Sequence, residues 1–170
     1  MTNLASNLPK LSGEKRDGDG RLVGVVIDSA PAPVLALEAN SWLVAVDGSS
    51  HSLRAVDEAA RLAADLKSGI LHLAHVQAWL AKEAAEVELA ARCWEASARA
   101  CAELDARGQA WRLHGLMGEV AERIVSLGQE LGCRGIVIGS RGMGAAENLL
   151  VGSVAYKLIH LSTLPVLVVR

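Results

Sequence analysis

Two stretches of this sequence place small, hydrogen-bonding residues where a phosphate could be held. One is Gly139-Ser140-Arg141-Gly142, followed after a nine-residue spacer by Gly152-Ser153. Gly139 and Gly142 permit positive φ and leave no Cβ between a phosphate and the backbone amides. Gly152-Ser153 opens a predicted helix, whose unpaired N–H groups and positive dipole end would face the same space. Ser140 and Ser153 add hydroxyls, and Arg141 adds a guanidinium. The other stretch is Asp47-Gly48-Ser49-Ser50, at the end of a short apolar run. An acidic side chain in that place needs a polar partner, either a ligand or its own loop. A helix-end charge contact is worth only about 0.3–1 kcal/mol when exposed. Micromolar affinity needs about 8 kcal/mol, so a slot for a flat apolar base must supply the remainder.

Other chemistries fail on spacing. No GxxxxGK[ST] occurs, so no phosphate-loop lysine is present. Gly139 to Gly144 spells GxxGxG rather than the dinucleotide GxGxxG, and the glycines between Gly18 and Gly24 have one residue too many. Asp17 and Asp19 resemble part of a calcium loop, but Arg21 takes its fifth position and Asp28 its twelfth. His72 and His75, three apart on a strand, point to opposite faces and cannot share a metal. His51 beside Ser49 and Ser50 is explained by helix-start usage rather than by a nucleophile pair. Cys93, Cys101 and Cys133 form no CxxC and no zinc spacing; an odd, sparse set suggests buried thiols in a reducing compartment.

The elements that must position these residues are read from periodicity. Residues 42–47 form an apolar run that suits a strand buried on both faces. A helix follows, with Leu53, Val56, Ala60, Ala63 and Leu66 inward. Strand 70–76 leads into a long helix over 78–107, whose stripe of Leu80, Ala84, Val87, Ala91, Trp94, Ala98 and Cys101 is expected to cover the sheet. Weak strand 109–114, helix 119–131, strand 135–138, helix 153–161 and strand 165–169 complete the pattern. Alternation of this kind predicts right-handed βαβ units and a parallel sheet with helices on both faces. Ligands of such a sheet bind at the carboxyl ends of the strands, where the strand order reverses.

Residues 1–20 read as a flexible polar arm whose removal should cost little stability. Residues 21–40 read as an extension with apolar pieces at 22–27 and 34–37, suited to a short hairpin or an added edge strand. The 170 residues suit one domain with such an extension, and 51% apolar residues are enough for its core. A formal charge of −2, no Phe and scattered Trp exclude a basic, aromatic-rich nucleic-acid surface. No apolar run approaches the ~18 residues of a membrane span, and no secretory leader is legible. The expected setting is the cytoplasm.

The Asp47-Gly48-Ser49 strand end, the Gly139-x2-Gly142-x9-Gly152-Ser153 spacing and the closing Pro165-Val-Leu-Val-Val-Arg170 together resemble the universal stress protein family, in its ATP-binding branch. The resemblance covers residues 41–170. It implies a Rossmann-like α/β fold, an open five-stranded parallel sheet in the order 3-2-1-4-5, and a homodimer through the last strand. It also implies ATP, or AMP or ADP, between the first and fourth strand ends, with Mg²⁺ carried on the phosphates. Asp47 would contact the ribose side, with Gly48 and Ser49 in the same loop and Val76 bordering adenine. Gly139, Ser140, Arg141, Gly142, Gly152, Ser153 and Val154 would surround ribose and phosphates. Two departures stand out: Arg134 replaces the family's acidic residue, and Glu147 places a negative charge in the spacer.

These residues supply phosphate contacts without an evident general base, metal cage or transfer lysine. The leading reading is a nucleotide-binding regulatory protein without fast catalysis, with a regulatory protein partner that the sequence does not name. A slow ATPase or a phosphoryl or nucleotidyl transferase on the same scaffold is one alternative. An interaction module with an empty site is the other.

Overall fold

The computed structural model describes residues 8–30, 40–143 and 150–170. The apolar piece at 34–37 and the spacer residue Glu147 lie outside them. Within them a seven-stranded sheet runs in the order β1-β2-β5-β4-β3-β6-β7. Five strands are mutually parallel: β3 (Trp42–Ala45), β4 (Leu71–Gln77), β5 (Trp111–Met117), β6 (Ile136–Gly139) and β7 (Val166–Val169). Counted alone, they follow the expected 3-2-1-4-5 order.

The sheet does not stop at five. β2 (Leu22–Asp28) pairs antiparallel with β5, and β1 (Gly13–Arg16) pairs antiparallel with β2. The expectation of a loose arm through Gly20 is therefore corrected from Gly13 onward. Its polarity misled because a strand at a sheet edge can carry charge on its exposed positions, as Glu14, Lys15 and Arg16 do here. Arg16 is held by Glu86 at 2.5 Å and Glu14 at 2.9 Å. Leu8 and Leu11, further back in the arm, pack against the core. β2 joins the sheet through Val23, Val25 and Ile27, all buried, and its last residue pairs with β5 through Asp28 and Arg112 at 2.7 Å.

Helices α1 (Ser50–Asp65) and α2 (Lys82–Ala106) cover one face of the sheet; α3 (Val120–Glu130) and α4 (Ser153–Leu161) cover the other. The expected inward face of the long helix is wrong. Its buried stripe is Ala85, Leu89, Cys93, Ser97, Ala100, Cys101 and Leu104, of which only Cys101 was expected, while Val87 is 77% exposed. The sheet decides this: a Cβ on Gly115 of β5 would lie 2.6 Å from the Cys93 sulfur, so only a glycine lets α2 descend there. Burial pushes the Cys93 thiol up to about 12, which keeps it protonated and inert. Leu66, expected inward, caps the end of α1 and is 43% exposed.

Candidate functional site

Strand order reverses at β3, whose two parallel neighbours are β4 and β6. A cavity of about 270 Å³ opens at the carboxyl ends of these strands. Its floor is apolar. Ala45 of β3 and Ala74 of β4 are paired across the sheet, and Val76, Ile138, Val120 and Ile124 surround them. Two alanines side by side leave room above the strands that larger residues would fill. That is the physical requirement for a flat ring to lie there.

Polar groups gather along one rim. Gly139, Ser140, Arg141 and Gly142 leave the end of β6, while Gly152, Ser153 and Val154 begin α4. Gly152 is the N-cap, and among the described residues no side chain caps this helix. The first-turn amides of α4 thus remain available to an acceptor in the cavity. The two segments are fastened together, because the Gly152 amide donates to the Ser140 carbonyl at 2.7 Å. Arg141 Nε is buried without a hydrogen-bond partner among the described residues.

Asp47, just past the end of β3, abuts the Gly142–Met143 end of the same loop. Its carboxylate accepts from the Ser49 amide at 2.9 Å and from the Met143 amide at 2.8 Å. Burial pulls its pKa up, but the bonds from Ser49 and Met143 outweigh that and hold it below the ordinary value. Ionised Asp47 is acceptor-only, with about four lone-pair sites, so it retains capacity for ligand hydroxyls. A phosphate would be repelled there. Ribose hydroxyls suit Asp47, and phosphates suit the start of α4.

The glycines act by closeness rather than by unusual dihedrals. Neither Gly139, Gly142 nor Gly152 is in the positive-φ region, which corrects the expectation for the first two. A Cβ on Gly142 would lie 2.6 Å from Asp47 Oδ2, and one on Gly139 would lie 2.6 Å from the His51 backbone. Gly152 is less constrained, since its Cβ would meet the Arg141 and Ser140 backbone at an ordinary 3.4 Å.

Gly48 and Ser49 do not line the cavity. Gly48 has φ +85° and makes the turn under α2, where a Cβ would approach the Ala96 carbonyl at 3.2 Å. Ser49 is the N-cap of α1, its hydroxyl accepting from the Ser52 amide at 3.1 Å. Both residues serve the loop that aims Asp47. Residues that sequence reasoning missed include Ser52, Met143, Ala45 and Ala74. The small strand-end alanines were the legible signal for the last two.

His51 pairs with Ser140, not with the neighbouring serines. Its Nδ1 accepts from Arg54 at 2.9 Å and lies 3.3 Å from Ser140 Oγ. Partial burial, then the Arg54 and Arg141 charges, hold His51 below its usual range, against a weaker upward pull from Asp47. With its Nδ1 lone pair shared between the Arg54 cation and Ser140 Oγ, this imidazole is poorly suited to take a proton. His75 turns to the Val46 carbonyl at 3.0 Å and His72 contacts His114, and neither lines the cavity.

Fold and site together define a Rossmann-like α/β protein with a phosphate-compatible loop at its topological switch point. The sequence model of the universal stress protein family matches residues 39–170. The chain belongs to that family. It is 30% identical over 151 residues to the universal stress protein YxiE of Bacillus subtilis, covering 77% of this chain and 99% of that protein. Among solved structures it is similar to a universal stress protein in complex with cAMP, at 26% identity and TM-score 0.62, covering 77% of this chain and 97% of that one. A universal stress protein from Archaeoglobus fulgidus in complex with dAMP gives 25% identity and TM-score 0.61, covering 76% and 97%. Among the described residues no helix is long and apolar enough to cross a membrane.

Proposed function

We propose that this chain is a regulatory stress-response protein of the cytoplasm that binds an adenine nucleotide, ATP in particular, without fast catalysis. The observation that carries the reading is the convergence, in one cavity, of an apolar floor, the ionised Asp47 and the uncapped start of α4. Adenine takes the floor between Val76 and Ile124, ribose hydroxyls take Asp47, and phosphates take the Gly139–Gly142 loop and the amides of Ser153 and Val154. The two relatives solved with cAMP and dAMP support the choice of base. Mg²⁺ would be held by adjacent phosphate oxygens of ATP rather than by protein carboxylates.

The same chain pairs as a homodimer through β7. The sheet has two terminal strands, and they differ in character. β1 carries Glu14, Lys15 and Arg16, which discourage pairing, whereas β7 is Val-Leu-Val-Val.

Mass spectrometry of the protein purified without added nucleotide tests the nucleotide reading, followed by calorimetric titration with ATP and AMP. Co-purified ATP, or titratable ATP binding strengthened by Mg²⁺, is the expected result. Stoichiometric ADP or AMP after ATP addition would favour a slow hydrolase. No binding of either nucleotide would favour an interaction module.

A further inference from the structure

The added hairpin creates a second cavity that the family domain does not contain by itself. β1 and β2 precede residue 39, where the family match begins, and they extend the sheet past the edge of α3. A groove of about 190 Å³ remains between the hairpin, β5 and α3. Val26 and Leu116 form its floor, and Leu127 of α3 with its C-cap Leu131 forms an apolar wall.

Its charges are unequal. Lys15 on the hairpin and Glu130 on α3 close over the groove as an ion pair at 3.3 Å and cancel. His114 also lines it, and burial, then His72 and Arg112, push its pKa down to about 3, leaving the imidazole neutral at neutral pH. Arg123 is then the remaining charge among the lining residues. Its Nε is buried with no hydrogen-bond partner among the described residues, its stem lying against Gly118, where a Cβ would come within 3.1 Å of Cγ. Nε faces Gly118 rather than the groove, but the guanidinium makes no ion pair among the described residues, and a carboxylate matches its planar fork.

We propose that this groove is a binding site for a small aromatic monocarboxylate, separate from the nucleotide cavity. The flat apolar body lies between Val26, Leu116, Leu127 and Leu131, and the carboxylate accepts from Arg123. The size agrees: a cavity of about 150 Å³ takes benzene, and this one has room for one further small group. A single uncompensated cation selects a monoanion over a phosphate dianion, with Glu130 opposing a second negative charge.

Benzoate is the probe, with benzyl alcohol as its neutral counterpart, followed by ¹⁵N–¹H NMR of the full chain. Benzoate should shift the amides of Gly24, Val26, Leu116 and Leu127 saturably, with Kd on the order of 1 mM. Benzyl alcohol should bind at least about tenfold more weakly. Arg123→Met, which keeps the apolar stem, should weaken benzoate by a similar factor. Ser126→Trp, placed on the exposed lip of the groove, should abolish binding by filling it. Folding of both variants is read from their unperturbed amide spectra elsewhere. The proposal is overturned by shifts that do not saturate up to about ten times that concentration. Equal binding of the alcohol, or benzoate binding unchanged in Arg123→Met, overturns it as well.

Discussion

The Asp47 carboxylate reaches across 96 residues of sequence to accept the Met143 amide at 2.8 Å. One side chain at the end of β3 therefore holds the loop that follows β6, and through that loop the start of α4. Asp47→Ala removes a charged acceptor from two amides, each bond being worth about 1.5–3 kcal/mol. Nucleotide affinity should fall by at least about tenfold, measured by calorimetry. Because its pKa is depressed in the folded state, the stabilising contribution of Asp47 is present above pH 3.8 and fades as pH falls below it. The acid limb of a denaturation profile should accordingly be shallower in the variant.

Gly142 and Gly152 separate two kinds of loop damage. Gly142→Val drives a side chain into Asp47, since a Cβ there would stand 2.6 Å from Oδ2. It should weaken ATP by more than about a hundredfold while circular dichroism stays native. Gly152→Val meets only ordinary contacts at 3.4 Å, so its effect should be smaller. Equal, wild-type affinity in both would place the nucleotide elsewhere.

Leu167 is the position at which to test the dimer. Val166 and Val168 pack partly inward beneath α4, whereas Leu167 is 36% exposed on the terminal strand. Leu167→Lys should shift the mass measured by light scattering from dimer to monomer without loss of secondary structure. A wild-type chain that is monomeric at high micromolar concentration would rule out β7 pairing.

Two buried histidines give the domain an acid sensitivity. His72 Nδ1 lies 3.1 Å from His114 Nε2; burial, then Arg112, lowers His72 to about 4, and burial, then His72 and Arg112, lowers His114 to about 3. The unfolded chain takes up these protons near pH 6.5, so stability should drop as pH falls below that value and continue to drop toward 4. Each histidine adds up to about 1.4 kcal/mol per pH unit to that slope. His114→Gln keeps hydrogen-bonding capacity without the charge and should flatten the acid limb in urea titrations.

Deleting residues 1–20 should lower Tm by roughly 4–8 °C, since partial burial of Leu8 and Leu11 is lost and β2 becomes an edge. Differential scanning calorimetry decides this. An unchanged Tm would mean that β1 contributes pairing without stability.

The alternation of apolar strands with amphipathic helices is a local property, so the five parallel strands and their helices were legible from residue 42 onward. The glycine spacing was legible too, and at Gly139 and Gly142 close approach of other atoms is what leaves that mark in residue type. Tertiary structure alone decided what depends on partners distant in sequence. β1 reads as a charged coil until β2 pairs with it. α2 presents Cys93 rather than Val87 to the sheet because Gly115 lies beneath it. Gly48 and Ser49 share a loop with Asp47, yet only Asp47 enters the cavity, since the turn and the N-cap claim the other two. His72 meets His114 only through the β4–β5 register. Residue type records what a position tolerates locally, whereas packing across the sheet selects which of the tolerated arrangements is made.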